Sequence, residues 1–446
     1  MAEKPYRRST CEGECAGGEC VKLRFLQTSD FHLGGGVLPS GHGFQHETVR
    51  LRQREEREAL ERIVEIAQRE SVDCILIPGD LWDHEAVSFA VAKRIMDLFS
   101  ALSPLPVLVV PGNHDFMGVD SPYHPHIAQQ HGYAWPDNVH IIRETKWRSI
   151  QLPELPGVQF IGRATGSNVK TDERYLREPM PLDEESLHVL LFHGSQLEGG
   201  GRSVPSGQKV TAPFDTKEVI ESGIDWGAFG HYHHQQVLRS PDERLVGGYA
   251  GVPFTRNFRD SNEKGVIVAE LEKGGVHEGS YQFIRTDFRR YIRVEVNLSG
   301  ASDEPEAQSR MASAAKTTRC TEQDLLQIRA TGRFGAGSFW KPEWTGDPIA
   351  FDVAIDTSRL QSGFSIENAL REAPEGSALG EFLTRMKARI DEARQNEQTV
   401  KAERMQLAAQ FGYDAFMGEA PRLKAEGIDL VAEVTEIHPA DEEYGD

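Results

Sequence analysis

The chain reads as an α/β protein built on a parallel sheet. Short apolar runs that suit buried strands alternate with longer stretches of helical period. Several of those runs end abruptly in a carboxylate, an amide or an imidazole. Open α/β sheets bind their ligands beyond the carboxyl ends of the strands, so these side chains gather where a site is expected.

Val21 to Thr28 forms the first strand and delivers Ser29-Asp30-Phe31-His32. Thr48 to Arg69 is an amphipathic helix with Leu51, Leu60, Ile63, Val64 and Ala67 facing inward. Its Arg50, Arg52, Arg54 and Arg57 interleave with Glu55, Glu56, Glu58 and Glu61. That mixture predicts a solvated, self-paired face rather than a phosphate site. Cys74 to Ile77 is a buried strand, and the Pro78-Gly79 turn presents Asp80 at its end. A helix over Val87 to Leu102 and a strand over Pro106 to Val110 follow, running into Pro111-Gly112-Asn113-His114-Asp115. Strand, helix, strand at this spacing predicts right-handed crossovers and parallel pairing.

Further strands are predicted at Val139–Ile142, Val158–Ile161 and Leu187–Phe192, the last ending at His193-Gly194. Asp215–Ser222 is a short helix, and Asp225–Phe229 a strand ending in Gly230-His231-Tyr232-His233-His234. Gln235–Leu238, Arg244–Tyr249 and Gly265–Leu271 complete a mainly antiparallel set. Beyond Arg290 the alternation at Tyr291–Leu298, Leu325–Thr331 and Ile349–Ile355 predicts a small α+β domain. Gly363 to Gly376 reads as a hinge. Ser377 to Phe411 is helical, with Phe382, Met386 and Ile390 on one face and Val400, Leu407 and Phe411 on another.

Composition bounds the function. No apolar run approaches the ~20 residues that cross a bilayer, and Met1 to Ser9 lacks the apolar core of a secretory signal. A cytoplasmic protein with no membrane partner is therefore expected. The net charge of −20 argues against broad, non-specific wrapping of nucleic acid. It leaves a nucleic-acid enzyme open, because bound divalent cations can dominate an acidic site. Cys74 and Cys320 read as reduced thiols. Cys11, Cys15 and Cys20 lie in a Gly/Glu-rich stretch that reads as a flexible tail, with a thiolate metal site as the alternative.

Taken together, Asp30, His32, Asp80, Asn113, His193, His231 and His233 combine carboxylate, amide oxygen and imidazole. Such a donor set suits manganese, iron or zinc, since magnesium favours an all-oxygen shell. On extended backbone, Asp30 and His32 face the same side, as do His231 and His233. Asp80 is read as bridging two cations. Any one of these motifs has a bland reading as a surface pair, a core histidine or a turn; their recurrence at successive strand ends is what points to a metal centre. The glycine triplets at Gly34–Gly36 and Gly199–Gly201 lack the Lys and Ser/Thr of a P-loop, which excludes an ATPase reading.

Asp30-x-His32, Gly79-Asp80, Gly112-Asn113-His114-Asp115, His193 and Gly230-His231-x-His233 resemble the calcineurin-like metallophosphoesterases. Ser29-Asp30-Phe31-His32-Leu33-Gly34 and Gly79-Asp80-Leu81-Trp82-Asp83, with the trailing domains, look like the SbcD-type DNA repair exonuclease subunits. The resemblance implies a four-layer sandwich of two mixed β-sheets flanked by helices, with a small α+β capping domain and a helical C-terminal segment. The expected division is a flexible tail at 1–20, a nuclease domain at 21–289, a capping, DNA-positioning domain at 290–362, a helical partner-binding segment at 377–412 and an acidic tail at 413–446.

The resemblance further implies two divalent metal ions, manganese being the usual cation. Asp30, His32, Asp80 and His233 would hold one; Asp80, Asn113, His193 and His231 the other. His114 and Asp115 are the catalytic candidates, His114 as acid or charge stabiliser at the leaving oxygen and Asp115 as the group that orients it. The implied activity is exo/endonucleolytic hydrolysis of DNA phosphodiesters by metal-activated water in DNA repair. The implied partners are DNA, an SMC-like ATPase of the SbcC kind and a second copy in a homodimer, associated with the nucleoid. A phosphoesterase for a small ester or a phosphoprotein is the alternative. His84 is a candidate substrate contact, with a solvated loop residue as its plain reading; His124, His126 and His131 are read the same way, as a DNA path or as surface.

Overall fold

The computed structural model describes residues 21–34, 43–83, 88–168, 171–197, 210–258, 263–287, 289–299, 301, 303–336, 343–396 and 398–417. The cysteines at 11, 15 and 20, His84 and the acidic tail beyond 417 lie outside the described residues.

Strands β1 (Leu23–Gln27), β2 (Cys74–Ile77), β3 (Val107–Val109) and β4 (Val139–Ile141) pair in parallel, each with the next. The crossovers are α1 (His46–Arg69) and α2 (Phe89–Ser100), with α3 (Pro125–Gln130) between β3 and β4. Ser88 caps α2 by accepting from the Val91 amide. Beyond these, β5 (Arg148–Gln151) runs antiparallel to β6 (Val158–Gly162). Then β6, β7 (Leu187–His193), β8 (Trp226–Gly230) and β10 (Leu245–Tyr249) form a second parallel group, with β9 (Gln236–Arg239) antiparallel to β10. The helix before β8 is α4 (Thr216–Glu221), where Asp215 and Glu218 form a reciprocal capping box.

A long strand, β11 (Lys264–Glu272), closes the structure. It pairs antiparallel with β1, and the short β12 (Gly275–Val276) links it to β10. β13 (Gln282–Asp287) adds to β11. The two mixed sheets expected are thus the two halves of one curled, 13-stranded hydrogen-bonded path. Alternation along each strand explains the layers. Phe25, Leu76, Leu108, Phe160, Val189, Leu191 and Trp226 meet in one core between the halves. Their neighbours Leu26, Ile75, Ile77 and Val107 face Leu60, Ile63, Ile95 and Phe99 of the helices. On the other flank Leu190, Phe192 and Phe229 pack with Phe214 and Val219. Gln27 ties the halves together: its amide donates to the carbonyls of Phe229 (3.3 Å) and Gly248 (2.7 Å) and accepts from Trp226 Nε1 (3.0 Å).

A three-stranded sheet follows, in the order β14 (Tyr291–Asn297), β15 (Leu325–Ala336), β16 (Asp352–Gly363), with α5 (Glu304–Lys316) after its first strand. Two compact units result. One holds the residues up to Val294 with Ser313–Ile328 and Gly346–Asp356; the other holds Glu295–Ala312, Arg329–Thr345 and the described residues from Thr357 on. In the second unit the expected hinge contains α6 (Ile366–Glu372), and the single helical run is two helices, α7 (Ala378–Gln395) and α8 (Thr399–Phe416). Leu383, Ile390, Ile366 and Ala409 are buried together, with Phe382 and Met386 packed against them.

One expectation for α1 is corrected. Arg52 does not lie on a solvated face; it is 0% exposed. Its guanidinium donates to Asp287 (2.7 Å), Glu55 (2.5 Å), the Tyr291 hydroxyl (3.0 Å) and the Thr255 carbonyl (3.1 Å). Helical spacing puts Arg52 on the same stripe as Ala59, Ile63 and Ile66, where the carboxylate at the end of β13 pairs with it. Glycine at the strand ends also has a packing reason. A Cβ on Gly230 would stand 2.0 Å from the Pro78 carbonyl oxygen and 2.8 Å from His193 Nδ1.

Removing Arg52 strands the buried Asp287 charge. R52A should therefore cost about 3–5 kcal/mol, read as a lowered urea midpoint, and R52M with D287L should recover most of it. G230A forces the β8 end away from the β2 turn and should cost about 1–3 kcal/mol in the same measurement.

Candidate metal centre

The turns after β1 and β2 lie against each other through backbone bonds. Asp30 N donates to the Gly79 carbonyl, His32 N to that of Asp80 and Leu33 N to that of Leu81, each at 3.1 Å. Asp30, His32, Asp80 and His231 all take left-handed backbone, with φ of 55°, 47°, 56° and 107°. Such conformations cost of order 1–3 kcal/mol each in non-glycine residues and gather at functional sites. Asp115 is the belt that holds them. Its carboxylate accepts from the amides of Asp80 (3.1 Å), Leu81 (2.8 Å) and Gly112 (2.6 Å) and from the Tyr123 hydroxyl (2.6 Å).

The donors converge on this frame. Asp80 Oδ1 accepts from the His114 amide at 2.8 Å, and its Oδ2 lies 3.2 Å from His193 Nε2 and 3.7 Å from His32 Nε2. Asn113 Oδ1 is 2.9 Å from His193 Nε2 and 3.2 Å from His231 Nδ1. His32 Nε2 is 3.2 Å from His233 Nε2. Asp30 Oδ1 accepts from the His231 amide at 2.9 Å. Ligand atoms of Asp30, His32 and His233, of Asp30, Asp80 and His193, and of His32, Asp80 and His114 lie within 4.8 Å of one another. Every expected donor is thus brought to one place, around Asp80.

The arrangement fits a cation. A carbonyl oxygen only accepts, so His193 Nδ1, 2.9 Å from the Pro78 oxygen, must carry the hydrogen. In the neutral ring Nε2 then turns a lone pair onto the oxygens of Asn113 and Asp80. His32 repeats the pattern, with Nδ1 2.6 Å from Asp83 Oδ1 and Nε2 facing inward. Lone pairs set against lone pairs repel unless positive charge lies between them. With no cation between them a proton takes that place instead, and the shifts within the site run that way. Burial opposes the His193 cation, yet the Asp80 and Asp30 charges lift its imidazole to about 9. Burial likewise opposes ionised Asp80, but His193, His32 and His114 hold it well below the usual carboxylate range. Asp30 moves the other way, pushed up chiefly by burial. Burial and the Asp80 charge raise Asp115 to about 6 against its hydrogen bonds.

One reading changes. Asp115 holds backbone amides, and the carboxylate that faces His114 Nδ1 is Asp83, at 3.2 Å. Asp83 closes the Gly79-Asp80-Leu81-Trp82-Asp83 motif, and its spacing of three from Asp80 is the sequence signal for its role. Tyr123, under the Asp115 carboxylate, had no signal at all. Of the remaining histidines, His124 Nε2 lies 3.0 Å from the Gly118 carbonyl and 5.2 Å, ring to ring, from His126, while His131 stacks on Phe89.

Comparison with known proteins gives a family match. Residues 23–235 match the calcineurin-like phosphoesterase family. The chain is 27% identical over 293 residues to the metallophosphoesterase YhaO of Bacillus subtilis (strain 168), covering 63% of this chain and 64% of YhaO. It is also 27% identical over 321 residues to the DNA double-strand break repair protein Mre11 of Methanopyrus kandleri, covering 65% and 62%. The chain therefore spans less than two thirds of the length of these relatives. Among solved structures, TT1561 of Thermus thermophilus aligns with 14% identity and a TM-score of 0.33, over 56% of this chain and 98% of that one. Fold, donor set and family match coincide: the region from Leu23 to Gln235 is a calcineurin-like metallophosphoesterase domain.

Proposed function

We propose that this protein is a manganese-dependent DNA exo/endonuclease, the nuclease subunit of a repair complex with an SMC-like, SbcC-like ATPase. The phosphoester chemistry rests on one observation, the convergence of Asp30, His32, Asp80, Asn113, His193, His231 and His233 around a shared carboxylate. Similarity to a double-strand break repair protein supports DNA as the substrate. In this reading residues 290–362 position DNA and residues 377–412 contact the ATPase. The protein works as a cytoplasmic, nucleoid-associated homodimer. Among the described residues no helix is long and apolar enough to cross a membrane.

Asp30, His32, Asp80 and His233 would hold one cation, and Asp80, Asn113, His193 and His231 the other. When bound, such a pair neutralises phosphate charge and lowers the pKa of a water molecule. His114, with Asp83 holding the hydrogen on its Nδ1, presents Nε2 to protonate the departing oxygen. Asp115 keeps the turns of Asp80 and Asn113 in register.

A second reading, a phosphoesterase for a small diester, monoester or phosphoprotein, is favoured by the packing of α7. Exposure of Phe382, Met386 and Ile390 would favour a partner groove; Ile390 is buried, and Phe382 and Met386 pack half-buried against their own chain.

Linear duplex DNA and bis(p-nitrophenyl) phosphate, each tested with MnCl2, separate the two. Cleavage of both supports the nuclease, and cleavage of the ester alone rejects it. H114L should lower kcat by about 10²–10⁴-fold while a calorimetric Mn2+ titration stays within a few-fold of the native protein; unchanged turnover would remove His114 from the chemistry.

A further inference from the structure

The left-handed turn that carries Asp30 and His32 is laced to the β2 turn on one side by the backbone bonds described above and by the His32–Asp83 contact. On its other side stands Arg256, from the segment after β10. The side chain is 10% exposed. Its guanidinium donates to the His32 carbonyl oxygen and, at 3.4 Å, to that of Phe31. The same NH1 lies 3.9 Å from Asp83 Oδ2, and Nε lies 3.9 Å from Glu56 Oε1 on α1. Glu56 is largely buried, and burial pushes its carboxyl up against the pull of Arg256.

Charge alternates along Glu56, Arg256 and Asp83, and Asp83 in turn faces the rings of His32 and His114. His32 has no glycine's freedom at φ 47°, so something must keep its carbonyl where the left-handed turn puts it. A planar guanidinium can grip carbonyl oxygens and face two carboxylates at once; a lysine ammonium cannot cover that span.

We infer that Arg256 is a positioning residue: it clamps the Asp30–His32 turn in its ligating shape and, with Glu56 behind it, holds Asp83 against His32 and His114. The inference rests on the proposed metal centre and deepens it. Arg256 contacts His32 and Asp83, whereas His193 is held by the Pro78 carbonyl and Asn113 faces His193 and His231. Losing the clamp should therefore weaken one cation far more than the other.

Calorimetric titration of the full chain with MnCl2 reads the two binding events separately, without turnover. R256A should weaken one event by about 10–100-fold, the size typical of residues that orient metal ligands, and leave the other within about threefold. R256K should recover part of the loss, and E56Q should give a smaller loss in the same event. Thermal melts check that each variant is folded; should R256A not fold, R256K and R256Q carry the comparison. Equal weakening of both events would mean a general loosening and overturn the inference, as would no change in either. A native protein that binds no Mn2+ would bring down the metal centre and this inference together. Native binding of two ions with R256A indistinguishable would sink the Arg256 role alone.

Discussion

Asp80 carries a fully buried negative charge, and the surrounding structure answers it. A lone carboxylate in such a place would take up a proton rather than stay ionised. Here the imidazoles of His193, His32 and His114 keep it ionised, and their placement is what the strand ends achieve. Parallel pairing puts the carboxyl ends of β1, β2 and β3 side by side in one half of the sheet and those of β7 and β8 in the other. The Gln27 amide, bonded to carbonyls of β8 and β10, fixes the register between the halves. The donors can then approach to hydrogen-bond distances without any loop bridging a gap.

Close approach has a steric condition. The motif glycines are the places where backbone must come near a ligand side chain. A Cβ at Gly112 would fall 2.2 Å from Asp80 Oδ1, and one at Gly79 2.6 Å from His193 Nδ1. The glycines before Asp80, Asn113 and His231 are therefore part of the ligand geometry, and so is Asp115, whose carboxylate occupies the amides that these turns leave unpaired. A buried carboxylate raised to about 6 is a costly belt, and its role in tying three amides and a tyrosine is what makes that cost tolerable.

How much was readable beforehand follows from the range of each interaction. The strands, the long α1 and the Asp215-capped α4 were legible because alternation, period and caps are local. The ligand set was legible because each donor directly follows its strand. Asp83, Tyr123 and Arg256 were not, since their meaning lies in partners 31, 8 and 224 residues away. The Asp115 reading failed for a related reason: sequence adjacency to His114 suggested a pair, whereas the turn aims the two side chains at different targets. The solvated reading of Arg52 failed through burial. Period can show that a face is apolar or charged, but what covers that face is a property of the whole fold.

The overall charge gains a different meaning from this. At −20, the chain cannot hold a phosphate backbone by bulk attraction, so any anionic substrate must be drawn by local charge. Among the described residues of the site the cationic side chains are spoken for: Arg256 grips the His32 carbonyl and faces Asp83 and Glu56, and Lys264 Nζ donates to the His233 carbonyl at 2.9 Å. Both brace the backbone of a ligand histidine instead of reaching outward. Attraction for phosphate is then left to the cations that the carboxylates and imidazoles are arranged to hold, so the same ions that would activate water would also recruit the substrate. That economy accounts for a neutral amide at Asn113: a third carboxylate beside Asp30 and Asp80 would cancel the positive charge on which an incoming phosphate depends.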